Sequence, residues 1–262
     1  MDVEKLTAAL DPDCPFAGHI TALDTVDSTN TRLKELAKAG APEFTVLTAE
    51  EQTAGRGTAG RTFCSPRGEG LYLSVLLRPR AGLEDLLTLT GWVAAAVREG
   101  IQAACGAPTR IKWLNDIYLN GRKLCGILTE LPPLQGEGAD YVVVGVGVNV
   151  TQSAAAFARQ GLEGIATSLA LEGYAVSREA LLAAILESLG EMYRAFPRQR
   201  ADYLARYRAH CLTLGRRVRC ADGTVGRAVG IDDSFALAVA GEGGVRTVNA
   251  GTVQLLGEED KT

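Results

Sequence analysis

The sequence has few of the residues that bind structural metals. It contains two histidines, His19 and His210, and six cysteines, none of which belongs to a Cys-x-x-Cys pair. Structural zinc sites use about four closely spaced histidine and cysteine ligands, so we expect no such site. The cysteines are scattered and several lie in apolar runs, which is typical of reduced thiols in a cytoplasmic protein.

Long apolar runs and an excess of positive charge are also missing. No run approaches the roughly 18 residues that a membrane helix needs, and the start, Met-Asp-Val-Glu-Lys, lacks the basic-then-apolar pattern of a signal peptide. The 262 residues carry a formal net charge of −4. Residues 1–18 are too few for a helix-turn-helix module. We therefore expect a protein that binds neither membranes nor DNA.

What the sequence does contain is enough apolar material for a sizeable core. Hydrophobic residues make up 47% of the chain, as in ordinary globular proteins. Up to residue 213, predicted strands and helices are mixed irregularly, which favours an α+β domain over a doubly wound sheet. From residue 214, β-prone runs of about five residues alternate with turns, which predicts a small antiparallel barrel. We expect two domains, 1–213 and 214–262.

Glycine and arginine are concentrated between Glu50 and Arg61, in the string Glu-Glu-Gln-Thr-Ala-Gly-Arg-Gly-Thr-Ala-Gly-Arg. Glycine lets a backbone approach a ligand closely, and arginine forks match carboxylate and phosphate oxygens. The string contains Gly-x-Gly-x-x-Gly, but a dinucleotide fingerprint requires a helix at this point. Pro66, Gly68 and Gly70 prevent one. We expect a strand, a loop for a small anion and a second strand; a solvated turn is the alternative.

A second polar segment, Asp27-Ser-Thr-Asn, follows a predicted strand over residues 19–26. It supplies several helix N-cap residues in a row, so Ser28, Thr29 and Asn30 should cluster where backbone N–H groups point outward. Ligand binding and plain capping both explain this cluster.

A third polar segment, Lys112-Trp-Leu-Asn-Asp, ends a predicted strand over residues 109–114 and leads into a hairpin with a turn at Asn120-Gly121. A charge among core-type residues needs a partner or a ligand. Lys112 therefore either pairs internally with Asp116 or serves a site.

Residues 140–150 are rich in valine and predict a strand interrupted by Gly145 and Gly147. Glycine within a strand often marks the close approach of a ligand or another backbone. The sequence leaves the oligomeric state open; pairing of exposed edge strands near this segment would give a homodimer.

These segments, in this order, resemble the biotin protein ligases. The motifs are Asp27-Ser-Thr-Asn, Gln52-Thr-Ala-Gly-Arg-Gly-x-x-Gly-Arg, Ser65-Pro, Leu71-Tyr-Leu-Ser, Lys112-Trp-x-Asn-Asp, Gly121-Arg-Lys-Leu-x-Gly-Ile-Leu-x-Glu and Val144-Gly-Val-Gly-Val-Asn-Val. The resemblance implies a mixed-sheet catalytic domain similar to class II aminoacyl-tRNA synthetases, followed by an SH3-like barrel. It also implies the type of ligase that lacks an N-terminal DNA-binding domain.

The activity implied by this resemblance has two steps. The carboxylate of biotin attacks the α-phosphate of ATP and gives biotinyl-5′-AMP, and a lysine of a biotin carboxyl carrier protein then attacks the mixed anhydride. Two unit charges 4 Å apart repel by about 4 kcal/mol at an effective dielectric of 20. Several cations and Mg²⁺ are therefore expected, with the metal held mainly by phosphates and no dedicated protein ligand.

The resemblance also implies roles for individual residues. Biotin would be bound by Ser28, Thr29, Asn30, Gln52, Arg56, Gly57, Thr58, Lys123 and Gly126. ATP would be bound by Arg56, Arg61, Phe63, Lys112, Asn115, Lys123, Gly145, Gly147 and Asn149. The catalytic residues would be Arg56, Lys112, Asp116 and Lys123, with Asp116 holding and deprotonating the acceptor lysine.

Apolar walls for the valeryl chain of biotin would come from Trp113 and Leu114. Leu114 stands where the family commonly has proline, a departure that removes no functional group. The loop over residues 50–61 would be a lid that orders over the ligand, which predicts its protection from protease by biotin or the adenylate.

Thr58 is the departure that matters. The family loop often reads Gly-Arg-Gly-Arg-x-Gly-Arg, and its second arginine, which helps to retain the adenylate, is Thr58 in this sequence. We expect faster adenylate release here, unless Arg61 or a partner chain compensates.

Two other functions remain open at this point. A lipoate or octanoate transferase resembles the same catalytic fold but lacks the Gly-Arg-Gly loop. A non-catalytic biotin sensor could keep the loop, although Arg56, Lys112, Asp116 and Lys123 together favour chemistry.

Overall fold

The structure is a computed structural model that describes residues 1–133 and 139–256. Its helices are α1 (Val3–Ala9), α2 (Thr29–Lys38), α3 (Leu83–Cys105), α4 (Ala154–Arg159), α5 (Arg178–Ala195) and α6 (Arg200–His210). The first seven strands are β1 (Ile20–Val26), β2 (Val46–Gln52), β3 (Gly70–Leu77), β4 (Arg110–Lys112), β5 (Asp116–Leu119), β6 (Arg122–Glu130) and β7 (Val142–Asn149). The remaining strands are β8 (Arg217–Arg219), β9 (Val225–Ile231), β10 (Leu237–Gly241), β11 (Gly244–Val248) and β12 (Gln254–Leu255).

The first seven strands form one mixed sheet in the order β1-β2-β3-β7-β6-β5-β4. The β1–β2 pair is parallel and the other five pairs are antiparallel. Parallel neighbours need a crossover, and α2 supplies it. The antiparallel β2–β3 pair excludes a Rossmann unit, whose strands run parallel on either side of a helix. The α+β prediction is therefore confirmed.

Strand β7 lies inside the sheet, between β3 and β6, and all its residues are buried. The prediction of an exposed edge near residues 140–150 is therefore wrong. A valine-rich run without polar alternation is typical of a strand covered on both faces. The edges of this sheet are instead β1 and β4.

Helices cover both faces of the sheet. On one face α3 and α5 pack against each other, and the Trp92 ring stacks on Tyr203 with centroids 4.6 Å apart. On the other face α2 inserts Leu33 into a smaller cluster with Leu76 and Val143. Helix α3 ends at Gly106 in the left-handed conformation, with φ of 72°, which glycine adopts without strain. The start of α2 is thereby held against the sheet beside β7.

The β4–β6 region differs slightly from its prediction. The turn between β5 and β6 has positive φ at both Asn120 (48°) and Gly121 (78°), as a type I′ turn requires. Strand β4, however, stops at Lys112 instead of residue 114. The chain turns away there because the Trp113 indole donates a hydrogen bond to the Phe235 carbonyl oxygen at 2.8 Å.

The last five strands form an antiparallel sheet in the order β11-β10-β9-β8-β12. Its Phe235 ring is buried and packs edge-on against Tyr207, 5.3 Å between centroids. A Cβ at Gly91 of α3 would lie 2.1 Å from the same ring, so that glycine makes the close packing possible. This sheet is thereby fixed to the larger one. The predicted second domain beyond residue 256 lies outside the described residues.

Across residues 1–133 and 139–256, none of the helices combines the length and apolar character that crossing a bilayer demands.

Candidate active site

A cavity of about 230 Å³ lies between the loop after β2 and strands β5 to β7. The start of α2 and the chain around α4 complete its walls. Of the predicted site residues, Lys112, Trp113 and Leu114 lie outside its lining, and all the others line it. These residues are Ser28, Thr29, Asn30, Gln52, Arg56, Gly57, Thr58, Arg61, Phe63, Asn115, Asp116, Lys123, Gly126, Gly145, Gly147 and Asn149. The three polar segments of the sequence therefore meet in one place.

The polar end of the cavity is built where α2 begins. The Thr29 amide and hydroxyl both donate to Gln52 Oε1, at 2.9 and 3.1 Å. Gln52 Nε2 in turn donates to Ser65 Oγ at 2.8 Å. Ser28 is the N-cap residue but forms no side-chain capping hydrogen bond. Capping alone therefore does not account for this buried cluster.

Asn30 is held by contacts on both of its amide atoms. Its Oδ1 accepts a hydrogen bond from Ser74 Oγ at 2.5 Å, and its Nδ2 donates to Leu128 O at 3.2 Å and Glu130 Oε2 at 2.9 Å. Ser74 and Glu130 lie within motifs quoted from the sequence, but no role was predicted for either residue. Fixed donors and acceptors of this kind suit a small polar ring such as a cyclic urea.

The loop after β2 is folded into a tight turn over the cavity. Gly57 N donates to Arg61 O at 2.7 Å, and Phe63 N donates to Gly55 O at 2.9 Å. Arg61 bends back on the turn and donates from Nε to Thr58 O at 3.1 Å and from Nη2 to Thr58 Oγ1 at 2.7 Å. Thr58 thus supplies two acceptors that fix the direction of Arg61.

The glycines of β7 make room for side chains from other segments. A Cβ at Gly145 would lie 2.1 Å from Asn30 Oδ1, and one at Gly147 would lie 2.5 Å from the Phe63 ring. The predicted close approach at these glycines is thus made by protein side chains. Phe63 thereby presents an aromatic surface to the cavity beside Asn149, whose Nδ2 donates to Thr167 O at 2.9 Å.

Two of the three cations that line the cavity are held by carboxylates, whereas Arg61 is held by Thr58. Lys123 Nζ lies 2.6 Å from Asp116 Oδ1, and Arg56 Nη1 lies 3.0 Å from Glu130 Oε1. Asp116 is 7% exposed, and the neighbouring Asn115 is pinned to β6 by its Nδ2, which donates to Ile127 O at 2.6 Å. The site therefore combines anion-binding groups with one buried carboxylate.

Lys112 lies outside the lining. It is the register partner of Asp116 across β4 and β5, and its amine stands 5.5 Å from the centre of the Tyr118 ring. Burial lowers the pKa of Lys112, the charge of Asp116 opposes that shift, and the charges of Lys123 and Arg61 add to it. The ion pair of Asp116 is made with Lys123, not with Lys112.

The apolar wall of the cavity comes from a segment for which the sequence analysis predicts no helix or strand. Phe157, Leu162, Ile165 and Ala166 lie in and after α4 and line the cavity. This segment is fastened to β6, because Lys123 N donates to Ile165 O at 2.9 Å and Thr167 N donates to Lys123 O at 2.9 Å. An alanine-rich run gives no clear period, so only these distant contacts reveal its position.

Trp113 and Leu114 do not supply the predicted apolar walls. Neither belongs to the lining, and Trp113 points its indole toward Phe235 of the second sheet. The sequence placed them by their neighbours in the chain, whereas the chain reverses direction between β4 and β5. Within residues 1–133 and 139–256, no group of three or more histidine, cysteine, aspartate or glutamate side chains could hold a metal ion.

The comparisons with known proteins agree with this site. Residues 22–149 match the Biotin/lipoate A/B protein ligase family, and residues 213–256 match the Biotin protein ligase C terminal domain. The chain is 35% identical over 249 residues to the bifunctional ligase/repressor BirA of Bacillus spizizenii. This match covers 90% of this chain and 74% of that protein. The chain belongs to the biotin protein ligase family.

Other members of the biotin protein ligase family match over nearly their whole length. The biotin–[acetyl-CoA-carboxylase] ligase of Paracoccus denitrificans is 34% identical, over 88% of this chain and 98% of that one. The structure of the Aquifex aeolicus biotin protein ligase in complex with biotin and ATP superposes with a TM-score of 0.73 at 29% identity. That match covers 91% of this chain and 99% of the other.

Proposed function

We propose that this chain is an ATP-dependent ligase that activates biotin as biotinyl-5′-AMP and transfers it to a lysine of a biotin carboxyl carrier protein. The observation that carries the proposal is the convergence of three groups in one cavity. A fixed polar end at Asn30 and Gln52 and an aromatic surface at Phe63 flank the cations Arg56 and Lys123. The order of these groups suits a ligand with a polar group at one end, anionic groups in the middle and an aromatic group at the other end.

In the activation step, Thr29, Asn30 and Gln52 orient the ureido ring of biotin through hydrogen bonds. Arg56 and Lys123 offset the repulsion between the biotin carboxylate and the α-phosphate, which is about 4 kcal/mol for one charge pair at 4 Å. Glu130 and Asp116 hold these two cations in place beside the cavity before an anion binds. An oxygen of the biotin carboxylate attacks the α-phosphorus and forms a new P–O bond. The bond from the α-phosphorus to the bridging oxygen breaks, and pyrophosphate leaves.

The nucleotide is held on the Phe63 side of the cavity. The ring offers a face for the adenine base, and Asn149 and the backbone at Gly147 stand beside it. Arg61 is directed by Thr58 and offers further donors to phosphate oxygens.

Mg²⁺ is the metal we expect with ATP, and the cavity suits it. Of the described residues that line the cavity, Asp116 carries the only carboxylate. Mg²⁺ typically keeps several waters and is held by phosphates with one or two carboxylates, which this donor set can provide. When bound, the metal would neutralise phosphate charge.

In the transfer step the acceptor lysine must lose a proton, since its unperturbed pKa is about 10.4. Asp116 is the group that holds the ammonium and takes that proton. Lys112 acts through Asp116, its cross-strand partner, by placing a second amine beside that carboxylate. The amine then attacks the acyl carbon and AMP leaves.

The partner we propose is a biotin carboxyl carrier protein, and the setting is the cytoplasm, where ATP is available and cysteines stay reduced. All six cysteines are free. We retain the division into domains 1–213 and 214–262. A homodimer stays a proposal without the edge at residues 140–150. Strand β1 is the edge that a partner could reach, because the chain at Cys211 already pairs with Ile111 of β4.

An ATP–pyrophosphate exchange assay tests this function. We expect labelled pyrophosphate to enter ATP when biotin is present and not when lipoate replaces it. Exchange with lipoate alone would support a lipoate ligase, and biotin binding without exchange would support a sensor. The match of residues 213–256 to the Biotin protein ligase C terminal domain favours the first result.

A further inference from the structure

Glu130, the last residue of β6, joins three segments that border the cavity. Its Oε1 lies 2.8 Å from Lys34 Nζ and 3.0 Å from Arg56 Nη1, and its Oε2 accepts from Asn30 Nδ2 at 2.9 Å. Its side chain is 17% exposed. A glutamate with so little contact with water and three polar partners organises the groups around it.

Arg56 depends on this contact more than its neighbours do. Its side chain is 45% exposed and it stands between Gly55 and Gly57, on the loop after β2. Glycine adds backbone freedom, and a long exposed side chain has many rotamers. Across residues 1–133 and 139–256, Glu130 is the carboxylate that forms an ion pair with Arg56.

The contact leaves Arg56 able to bind a ligand. A guanidinium has five N–H donors in a planar fork, and Nη1 faces Glu130. The other N–H donors of the guanidinium can bind a second anion while Nη1 stays paired with Glu130. Glu130 and a ligand carboxylate can therefore share the same arginine.

We infer that Glu130 is a positioning residue, which holds Arg56 over the cavity so that its guanidinium meets the carboxylate of biotin. The inference rests on the proposed function, because it takes biotin as the ligand of Arg56. It assigns Glu130 an indirect part in binding, through Arg56.

The charge state of Glu130 suits this role. Burial raises the pKa of its carboxyl, but hydrogen bonds from Lys34 and Asn30 and the charges of Lys34 and Arg56 outweigh burial and bring the pKa below its ordinary value. Glu130 is therefore negative throughout the neutral range.

The test is a double-mutant cycle measured as the Kd of biotin by isothermal titration calorimetry. Glu130→Gln keeps the shape and an acceptor oxygen for Asn30 but removes the charge that Arg56 faces. We expect the Kd to rise about three- to fivefold, the change given by an ion pair at the upper end of the range for exposed pairs. In an Arg56→Gln background, Glu130→Gln should change the Kd by less than about 1.5-fold.

Two further variants separate this role from a general effect on the fold. Lys34→Met removes the other cation on Glu130 but leaves Arg56 in place, so the Kd should stay within about twofold of wild type. Glu130→Asp keeps the charge on a shorter side chain, so its Kd for biotin should lie between those of wild type and Glu130→Gln. It also serves as the test if the glutamine variant does not fold, as judged by its thermal midpoint. In exchange assays the KM for biotin should rise with little change in kcat.

Each outcome decides the inference. An unchanged Kd in Glu130→Gln overturns it, and so does an equal rise with and without Arg56, which would assign the effect to Asn30 instead. Failure of the wild-type protein to bind biotin at all would contradict the proposed function. Equal binding of biotin by wild type and Glu130→Gln would instead overturn only the role of Glu130.

Discussion

Among single residues, Asp116 is the buried carboxylate of the cavity. It is 7% exposed, bonds to Lys123 at 2.6 Å and faces Lys112 across the strand pair. Its carboxylate is also what would attract a further ammonium, that of the acceptor lysine. A neutral residue of the same shape would keep the packing and lose the attraction.

We therefore predict that Asp116→Asn slows transfer of biotin from preformed biotinyl-5′-AMP by about 10²-fold, the usual scale of lost general-base catalysis. Biotin binding should change little, because the amide oxygen can still accept from Lys123. Single-turnover labelling of a carrier domain measures the rate. Transfer at the wild-type rate would rule out the proposed role.

At the residue scale, Thr58 also bears on a prediction about the lifetime of the bound adenylate. Its two acceptors hold Arg61 folded back on the loop. The loop carries two arginines, Arg56 and Arg61, where the family commonly has three. We predict that Thr58→Arg slows dissociation of labelled biotinyl-5′-AMP about tenfold, because it adds one charge-assisted contact.

Thr58→Ser is the matched control, since its hydroxyl can still accept from Arg61, and its dissociation rate should equal that of wild type. Adenylate release from the wild-type protein as slow as from an arginine-bearing relative would contradict the prediction.

At the scale of elements, β7 separates two halves of the cavity with two glycines. Gly145 makes room for Asn30 and Gly147 makes room for Phe63. Because successive side-chain positions alternate in a strand, residues two apart face the same side. One strand therefore sets both the polar end and the aromatic surface.

This arrangement predicts crossed effects of two small substitutions. Gly145→Ala pushes Asn30 aside and should raise the KM for biotin about tenfold, while Gly147→Ala pushes Phe63 aside and should raise the KM for ATP by a similar factor. Each variant is the control for the other in exchange assays. Equal effects on both substrates in both variants would show that the two halves are not separate.

The elements also show where sequence reasoning succeeds. Asn120-Gly121, Gly106 and the valine run of β7 have local signatures, so their turn, helix end and strand were predictable. Glu130 bonds to Asn30 and Lys34, which lie 100 and 96 positions away from it in the chain. The wall after α4 has no periodic pattern. Contacts across such distances depend on tertiary packing, which no local string encodes.

At the scale of the whole molecule, Phe235 fastens the C-terminal sheet to the larger one. Its ring meets Tyr207 and Gly91, and its carbonyl accepts from Trp113, two residues before Asn115. The barrel therefore supports the chain that leads into Asp116. This connection explains why Trp113, which the sequence assigned to the biotin pocket, is found in the interface instead.

We predict that Phe235→Ala destabilises the entire molecule by about 3–5 kcal/mol, the usual cost of removing a buried aromatic ring, and lowers transfer activity. Chemical denaturation followed by fluorescence gives the stability. Val245→Ala, at a side chain that is 66% exposed, should leave both unchanged. A separate early transition of the barrel, with the remaining unfolding and the activity intact, would refute the coupling.

The central claim is that this cavity joins biotin to a carrier protein in an ATP-dependent reaction. The most direct measurement is the intact mass of a biotin carboxyl carrier domain after incubation with the protein, biotin, ATP and Mg²⁺. We predict the gain of one biotinyl group on one lysine, lost when ATP is omitted. A carrier domain that stays unmodified here, although a known biotin ligase modifies the same sample, would contradict the account.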